Sequence, residues 1–408
     1  MDMQTTPGAE EAGAFDLNAI GEDFLENPFP MYKALREHAP IHVNPDGTYF
    51  LTRYDDVMTG YRHADMSSDK KVEFKPKFGD GALYTHHTTT LVFNDDPYHK
   101  RVRKLMSGAF SPRQLAALTP VVEDIIDRLL DDVAAMGSFD AVQDYALRLP
   151  TEIIADMLGV PEAHRHLMHP YSNLILGALD PIVPADKLAA GHKAVEDFGA
   201  LLLDLINHRR KNPDDGTRGE VLAALIFGEE DGEKLTDEEL VQNCIFLLNA
   251  GHETTASMTG HGLATLLENP GELQRLRDDP TLIEPAVEEF LRLQSPLQIA
   301  HRKATKDVQF SSGVIPEGAF IHLCIAGANR DPDVFDDPEN VDIGRNPNPQ
   351  IAFGSGQHIC MGNTLGRIEG QIAVGRFAQR FPNMRQTGEK RYHGRAKFRG
   401  LESLPMAV

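Results

Sequence analysis

A glycine-rich loop that ends in a cysteine is the stretch most suited to chemistry: Phe353-Gly354-Ser355-Gly356-Gln357-His358-Ile359-Cys360-Met361-Gly362. Glycines permit positive φ and let backbone come close to a large planar ligand, and the loop's amide hydrogens are able to point at a thiolate sulfur. A thiolate is a strongly donating iron ligand that favours O–O bond cleavage. A lone cysteine in a turn is more often a buried, inert hydrophobe, so Cys360 has to be weighed with its whole loop and with the helical pattern that follows from Leu365 to Ala373.

Three further groups of residues carry chemical potential. Ala250-Gly251-His252-Glu253-Thr254-Thr255 sets an acid beside a hydroxyl in a helical pattern. Such a pair is usually a solvated face or a hydroxyl bonding back to the previous turn. Two features favour more. Gly251 costs about 1 kcal/mol against Ala in a helix interior, which predicts a local distortion able to open a groove for dioxygen and water. Phe246, Ala250 and Thr254 also share one stripe at i, i+4, i+8. Glu289 and Arg292, at i, i+3, form an ion pair that is ordinarily a weak surface contact. His99, Arg103, Arg302 and His358 are, taken singly, ordinary surface cations or core histidines, although Arg is the side chain suited to binding a carboxylate in bidentate fashion.

These residues need elements to place them. Thr119 and Pro120 open a helix striped by Val122, Ile125, Ile126, Leu129, Leu130 and Val133. Thr236, with Glu239 three residues on, forms a capping box for a helix running to Leu267, on the order of 45 Å long. Thr281 and Glu284 suggest a second capping box, for a helix ending at Arg292 before Pro296. Short strands are expected at 304–305, 308–310, 313–316 and 320–323, separated by Gly and Pro turns. The fold class is mainly α with minor β, in one domain spanning 1–408, with the polar run Asn212–Glu220 as a loop and no linker or internal repeat.

Composition narrows the class. The formal charge of -21 over 408 residues disfavours nucleic-acid binding. Met1–Ala14 lacks the basic and apolar regions of a secretory leader, and the charge-free stretch Asn346–Gly366 is too rich in Pro and Gly to span a membrane. Three cysteines, Cys244, Cys324 and Cys360, fit a reducing, cytoplasmic setting and fall short of an iron–sulfur cluster. No G-x-G-x-x-G nucleotide fingerprint is present, so electrons must come from a separate donor.

The Cys360 loop resembles the heme-binding signature of the cytochrome P-450 superfamily at every fixed position, Phe353, Gly354, Gly356, His358, Cys360 and Gly362, with Met361 a volume-conserving departure from the Leu common in bacterial relatives. The other motifs follow in the family's order, so the resemblance covers the chain from about Asp95 to its end. It implies a long central helix over heme b, with Cys360 as metal ligand and His99, Arg103, Ala250, Arg302, Phe353, His358 and Gly362 as further heme contacts. It implies catalytic roles for Thr254 in oxygen activation and Glu253 in proton relay, and a structural role for Glu289 and Arg292. Phe398–Pro405 resembles the terminal strand region of soluble bacterial members and suggests a complete chain.

The expected activity is a monooxygenase using O2 to hydroxylate or oxidatively dealkylate a small or medium hydrophobic substrate, as a monomer without a membrane anchor. By resemblance to bacterial systems, ferredoxin and ferredoxin reductase supply the electrons. The basic run Lys100, Arg101, Arg103, Lys104 and Arg113 is then a candidate docking face for an acidic ferredoxin. A peroxygenase or isomerase, and a non-catalytic gas-binding heme protein, are the alternatives; retention of Glu253 and Thr254 counts against the former. Family analogy draws the substrate pocket from 83–93, 171–179, Phe246, Asn249, Ala250, and Leu297 and Gln298 in a segment 297–300 that offers no charge to clamp a carboxylate.

Overall fold

In the computed structural model, which describes residues 7–180, 183–213 and 219–408, the long helix begins where its cap predicts. Thr236 Oγ1 accepts from Glu239 N–H at 3.2 Å and Glu239 Oε2 accepts from Thr236 N–H at 2.9 Å. Two of the amides that a helix start leaves without partners are thereby satisfied. The helix runs Asp237–Glu268 without interruption until Asn269-Pro270. Its 32 residues span about 48 Å. Helices Arg148–Leu158, Met168–Gly177, Ala185–Lys211, Ile283–Gln294 and Asn363–Arg380 pack around it. Between Glu239 and Leu266 only Gln242, Phe246, Ala250, Gly251 and Thr254 escape full burial. Four of the five recur every fourth residue, so one narrow stripe of an otherwise enclosed helix faces open space.

Several expected boundaries move. The helix over 119–133 in fact spans Pro112–Met136, because Ser111-Pro112 supplies an earlier start and Pro120 is carried inside it. Proline at the first helical position gives up only an amide that has no partner there. The capping box expected at Thr281 and Glu284 does not form. Asp279 accepts from Thr281 N–H instead, a short 3-10 turn intervenes, and the helix is Ile283–Gln294. Of the loop expected over 212–220, residues 214–218 lie outside the described residues.

Strands appear at 299–304, 308–310, 313–315 and 320–324, the first longer than expected. The larger sheet also takes strands Ile41–Val43, Tyr49–Leu51 and Met66–Ser67, in the order 41–43, 49–51, 320–324, 299–304, 66–67, with 49–51 parallel to 320–324. These amino-terminal strands are two or three residues long, too short for an alternating pattern to register in sequence.

Candidate functional site

The cysteine loop is shaped by two glycines. Gly354 and Gly356 have φ of +69° and +71°, in the left-handed region, and a Cβ on Gly356 would lie 2.7 Å from Tyr61 O. The loop therefore sits directly on helix Tyr54–Arg62, and Arg62 Nε donates to Ser355 Oγ at 2.8 Å. Phe353 is fixed under Arg367, whose guanidinium carbon is 4.5 Å from the ring centroid while its Nε donates to Glu288 at 2.6 Å. Cys360 is exposed, directly before helix Asn363–Arg380. The surrounding protein pushes its thiol pKa up, and the Gly362 amide, Arg103 and Arg367 oppose that shift. The amides and positive end of the following helix favour the thiolate.

The predicted donors collect around this loop. His99, on helix Tyr98–Ser107, stacks on His358 with ring centroids 4.0 Å apart. Neither ring nitrogen of His99, nor Nδ1 of His358, has a hydrogen-bond partner although all three are buried. Arg103 Nη2 donates to Ile359 O at 2.7 Å. Arg302 is buried over the ring of Tyr61 and donates to His301 O, and among the described residues no carboxylate lies within salt-bridge distance of it. Burial lowers its pKa, the mark of a cation held away from water. His99 Nδ1 lies 3.5 Å from the Asp96 carboxylate, but Arg302 has no such partner among the described residues, and a buried guanidinium without a counter-ion is costly unless a ligand supplies anionic oxygens. The propionates of heme are such oxygens, so the donor set fits the group.

Behind the loop, Glu289 and Arg292 are fully buried and form a bidentate pair at 2.7 and 2.8 Å. The pair is no surface contact. Glu289 also accepts from Arg345 and Asn348, and Arg292 donates to Asn329 O and Pro338 O. Asn329 in turn accepts from Ile351 N–H at 2.9 Å, two residues before the cysteine loop begins. Arg292 thus fixes the segment that leads into the loop.

On the long helix, Phe246, Ala250 and Thr254 do share the open stripe, and Thr254 Oγ1 donates to Ala250 O at 2.7 Å. The helix runs through Gly251 without interruption. A Cβ there would come 3.0 Å from Ile154 Cδ1, so the glycine admits a neighbouring helix instead of breaking its own. Glu253 is buried, 3.0 Å from His393 Nε2 and 3.5 Å from Arg395 Nη1. Burial raises its pKa, but these cations outweigh burial and bring it down to about 2. Sequence reasoning missed both partners, which arrive from 140 residues away. It also missed Glu369, whose Oε2 accepts from Thr255 Oγ1 at 3.0 Å and whose pKa burial pushes up to about 8. The buried His252 was missed too; its Nε2 lies 3.1 Å from His169 Nδ1.

The pocket residues divide. Asn249 is buried, 3.3 Å from His86 Nε2. Leu297 pairs with Phe398 of the carboxyl-terminal segment. The Gln298 amide turns back onto the end of helix Ile283–Gln294, donating to Gln294 O at 2.6 Å and Ser295 O at 2.7 Å, so its donors are not free for a ligand. The expected basic face is also partly neutralised. Arg101 pairs with Glu239, and Lys104 with Asp231 at 2.7 Å and Glu230 at 3.1 Å. Lys100 and Arg113 remain exposed.

The family profile described as Cytochrome P-450 matches residues 33–392. The chain is 33% identical over 394 residues to the biotin biosynthesis cytochrome P-450 of Bacillus subtilis (strain 168), covering 95% of this chain and 98% of that one. It is 36% identical over 411 residues to a vitamin D(3) 25-hydroxylase of Pseudonocardia autotrophica, covering 99% and 98%. Among solved structures it resembles P450BioI in complex with hexadec-9Z-enoic acid ligated acyl carrier protein, with a TM-score of 0.89 and 32% identity over 95% of this chain and 100% of that one. It also resembles CalO2, with a TM-score of 0.90 and 30% identity over 97% and 99%.

Proposed function

The chain belongs to the cytochrome P-450 family, a family of heme monooxygenases, and from that premise we propose that the whole chain, 1–408, acts as one cytoplasmic, monomeric unit on a small or medium hydrophobic substrate. The reaction is hydroxylation or oxidative dealkylation, with electrons from a separate ferredoxin and ferredoxin reductase. The observation that carries the site assignment is the buried Arg302 guanidinium without a carboxylate partner among the described residues, together with the stacked His99 and His358 rings at the Cys360 loop.

Cys360 Sγ would hold the heme iron, with Arg103, Arg302, His99 and His358 on the propionates. The heme, when bound, supplies the iron that activates dioxygen. The chain's own part is to orient the substrate and handle protons. Thr254 Oγ1 is the hydroxyl on the open stripe, and its bond to Ala250 O holds it in place. Glu253, held as the carboxylate by His393 and Arg395, would relay protons through water by accepting one and passing it on. The apolar stripe residues Phe246 and Ala250 exclude water from the same face. None of the three cysteines forms a disulfide among the described residues. No helix among the described residues is long and apolar enough to cross a membrane.

The decisive measurement is the reduced, carbon-monoxide-bound absorption spectrum of the purified protein and of Cys360→Ala. The parent is expected to show the red-shifted thiolate Soret band and the variant to lose it. A parent without heme, or with a histidine-type spectrum, overturns the assignment.

A further inference from the structure

The carboxyl-terminal segment brings a half-buried lysine beside the stretch that has no charge of its own. Gln298 N–H donates to Lys397 O at 2.8 Å and Leu297 bridges Phe398, which sets residues 397–398 alongside 297–298. From there the Lys397 side chain runs to the end of helix Met168–Gly177, where Nζ lies 3.4 Å from Leu179 O. Lys77, from helix Lys71–Phe78, reaches the same place and donates to Asp180 O. Two ammonium groups from opposite ends of the chain therefore meet on adjacent carbonyls.

A helix carboxyl terminus offers about half a negative charge, so two full positive charges exceed what it balances. The neighbouring carboxylates Glu73 and Asp180 act on both ammoniums, but among the described residues neither is within salt-bridge distance of them. Glu73 is engaged with Lys70 at 2.6 Å, and Glu253 with His393 and Arg395. The Asp180 carboxylate makes no salt bridge among the described residues; burial raises its pKa, while Arg395, Lys397 and Lys77 oppose that rise. Neither Lys77 nor Lys397 has a salt-bridge partner among the described residues. Burial, then repulsion by Lys77, brings the Lys397 ammonium down to about 8 against the opposing pull of Glu73 and Asp180.

Apolar side chains also adjoin the pair, beside the charged Lys70, Glu73 and Asp180. The Phe78 ring centroid is 5.5 Å from Lys77 Nζ, and Leu179, Leu297 and Phe398 adjoin Lys397. Arg302 lies four residues beyond Gln298, about 13 Å along the strand at ordinary strand rise. The propionate donors and this lysine pair thus address different anions.

Resting on the heme-monooxygenase reading, we infer that Lys397 and Lys77 form an anion clamp for the substrate, and that the substrate is an amphiphile with a terminal carboxylate on an apolar body. The clamp sits where the substrate segments 83–93, 171–179 and 297–300 were expected to converge, and it supplies the charge that the last of these lacks.

The test uses the heme-loaded, full-length protein. Binding of octanoate, dodecanoate and hexadecanoate is compared with that of the matching alcohols, by calorimetry and by the heme spin-state shift. At least one acid is expected to bind more tightly than its alcohol. Lys397→Gln and Lys77→Gln are expected to weaken that acid by about 10- to 100-fold while changing the alcohol by less than about twofold, as loss of a charge-assisted contact requires. No preference for any acid, or equal loss of acid and alcohol, overturns the clamp and leaves the lysines as helix-end contacts only. The carbon-monoxide spectrum of the same preparation reports separately on the heme-thiolate reading, and calorimetry detects binding whether or not the spin state responds.

Discussion

His393 Nε2 sits 3.0 Å from Glu253 Oε1, and Arg395 Nη1 lies 3.5 Å from the other carboxylate oxygen, so the acid of the long helix is tied to the carboxyl-terminal segment. Burial alone would raise the Glu253 pKa; His393, Arg395 and His252 reverse this and hold it at about 2, against an ordinary value of 4.5. A carboxylate whose folded pKa lies below its unfolded one adds stability that is complete above the unfolded value and is lost as pH falls toward the folded one. The double variant His393→Ala, Arg395→Ala should therefore be less stable than the parent by roughly 3 kcal/mol at pH near 7, and the gap should shrink as pH falls from about 4.5 toward 2. Urea unfolding at stepped pH measures this. A gap that does not change with pH would mean the two side chains contribute packing and not charge.

Arg302 yields a prediction of opposite sign in the two states of the protein. Its guanidinium is buried against Tyr61 without a carboxylate partner, so in the heme-free protein Arg302→Leu removes an uncompensated charge. Replacing such a charge with a well-packed apolar side chain is neutral or stabilising, by up to about 2 kcal/mol. In the heme-loaded protein the same change removes a propionate donor, and heme affinity should fall by about tenfold or more. Heme transfer to an acceptor globin, run beside urea unfolding of the heme-free form, separates the two effects. Destabilisation of both forms alike would make Arg302 a plain structural residue.

The two Glu residues most legible in sequence met different fates, for one physical reason. Local chemistry could be read because it is written in neighbouring residues: the Thr236 cap, the glycines of the Cys360 loop, the stripe of Phe246, Ala250 and Thr254, and the Glu289 and Arg292 pair. What was not legible depends on contacts between distant segments. Nothing near Glu253 announces His393 or Arg395, and nothing near Leu297 announces Lys397, because strand pairing and helix packing bring these together. Gly251 shows the same limit. A helical glycine signals either distortion or close approach, and only the position of Ile154 decides for close approach. The neutralised basic face belongs here too, since Lys104 meets its acidic partners across more than 120 residues.

Glu289 accepts from Arg292, Arg345 and Asn348 with no exposure to water. Glu289→Gln keeps the shape but leaves the Arg292 guanidinium buried without its counter-ion, a change that costs on the order of 3–5 kcal/mol. The expected result is a large drop in the urea midpoint, together with heme loss, because Arg292 positions Asn329 and Asn329 positions Ile351 at the mouth of the cysteine loop. Arg292→Lys should not restore it, since an ammonium cannot reproduce the bidentate contact and the two carbonyl contacts together. A Lys variant with parental stability would show that charge alone matters at this position.

Gly356 and Gly362 stand six residues apart in one loop and should respond oppositely to the same substitution. Gly356 has φ of +71° and a Cβ there would meet the Tyr61 carbonyl oxygen at 2.7 Å, so Gly356→Ala is strained by the protein itself. It should cost the heme-free protein about 2 kcal/mol, from left-handed backbone and a backbone contact that has no flexible end to yield. Gly362 has φ of -84° and a Cβ there meets no protein atom within 4 Å. Gly362→Ala should therefore leave heme-free stability within about 0.5 kcal/mol of the parent, as substitutions away from packed sites do. If Gly362 is small because heme lies against it, the same variant should take up heme less tightly, which titration of the heme-free protein with hemin followed at the Soret band will show. Normal heme affinity in Gly362→Ala would remove Gly362 from the heme contacts and leave Gly354 and Gly356 as the glycines that shape the loop.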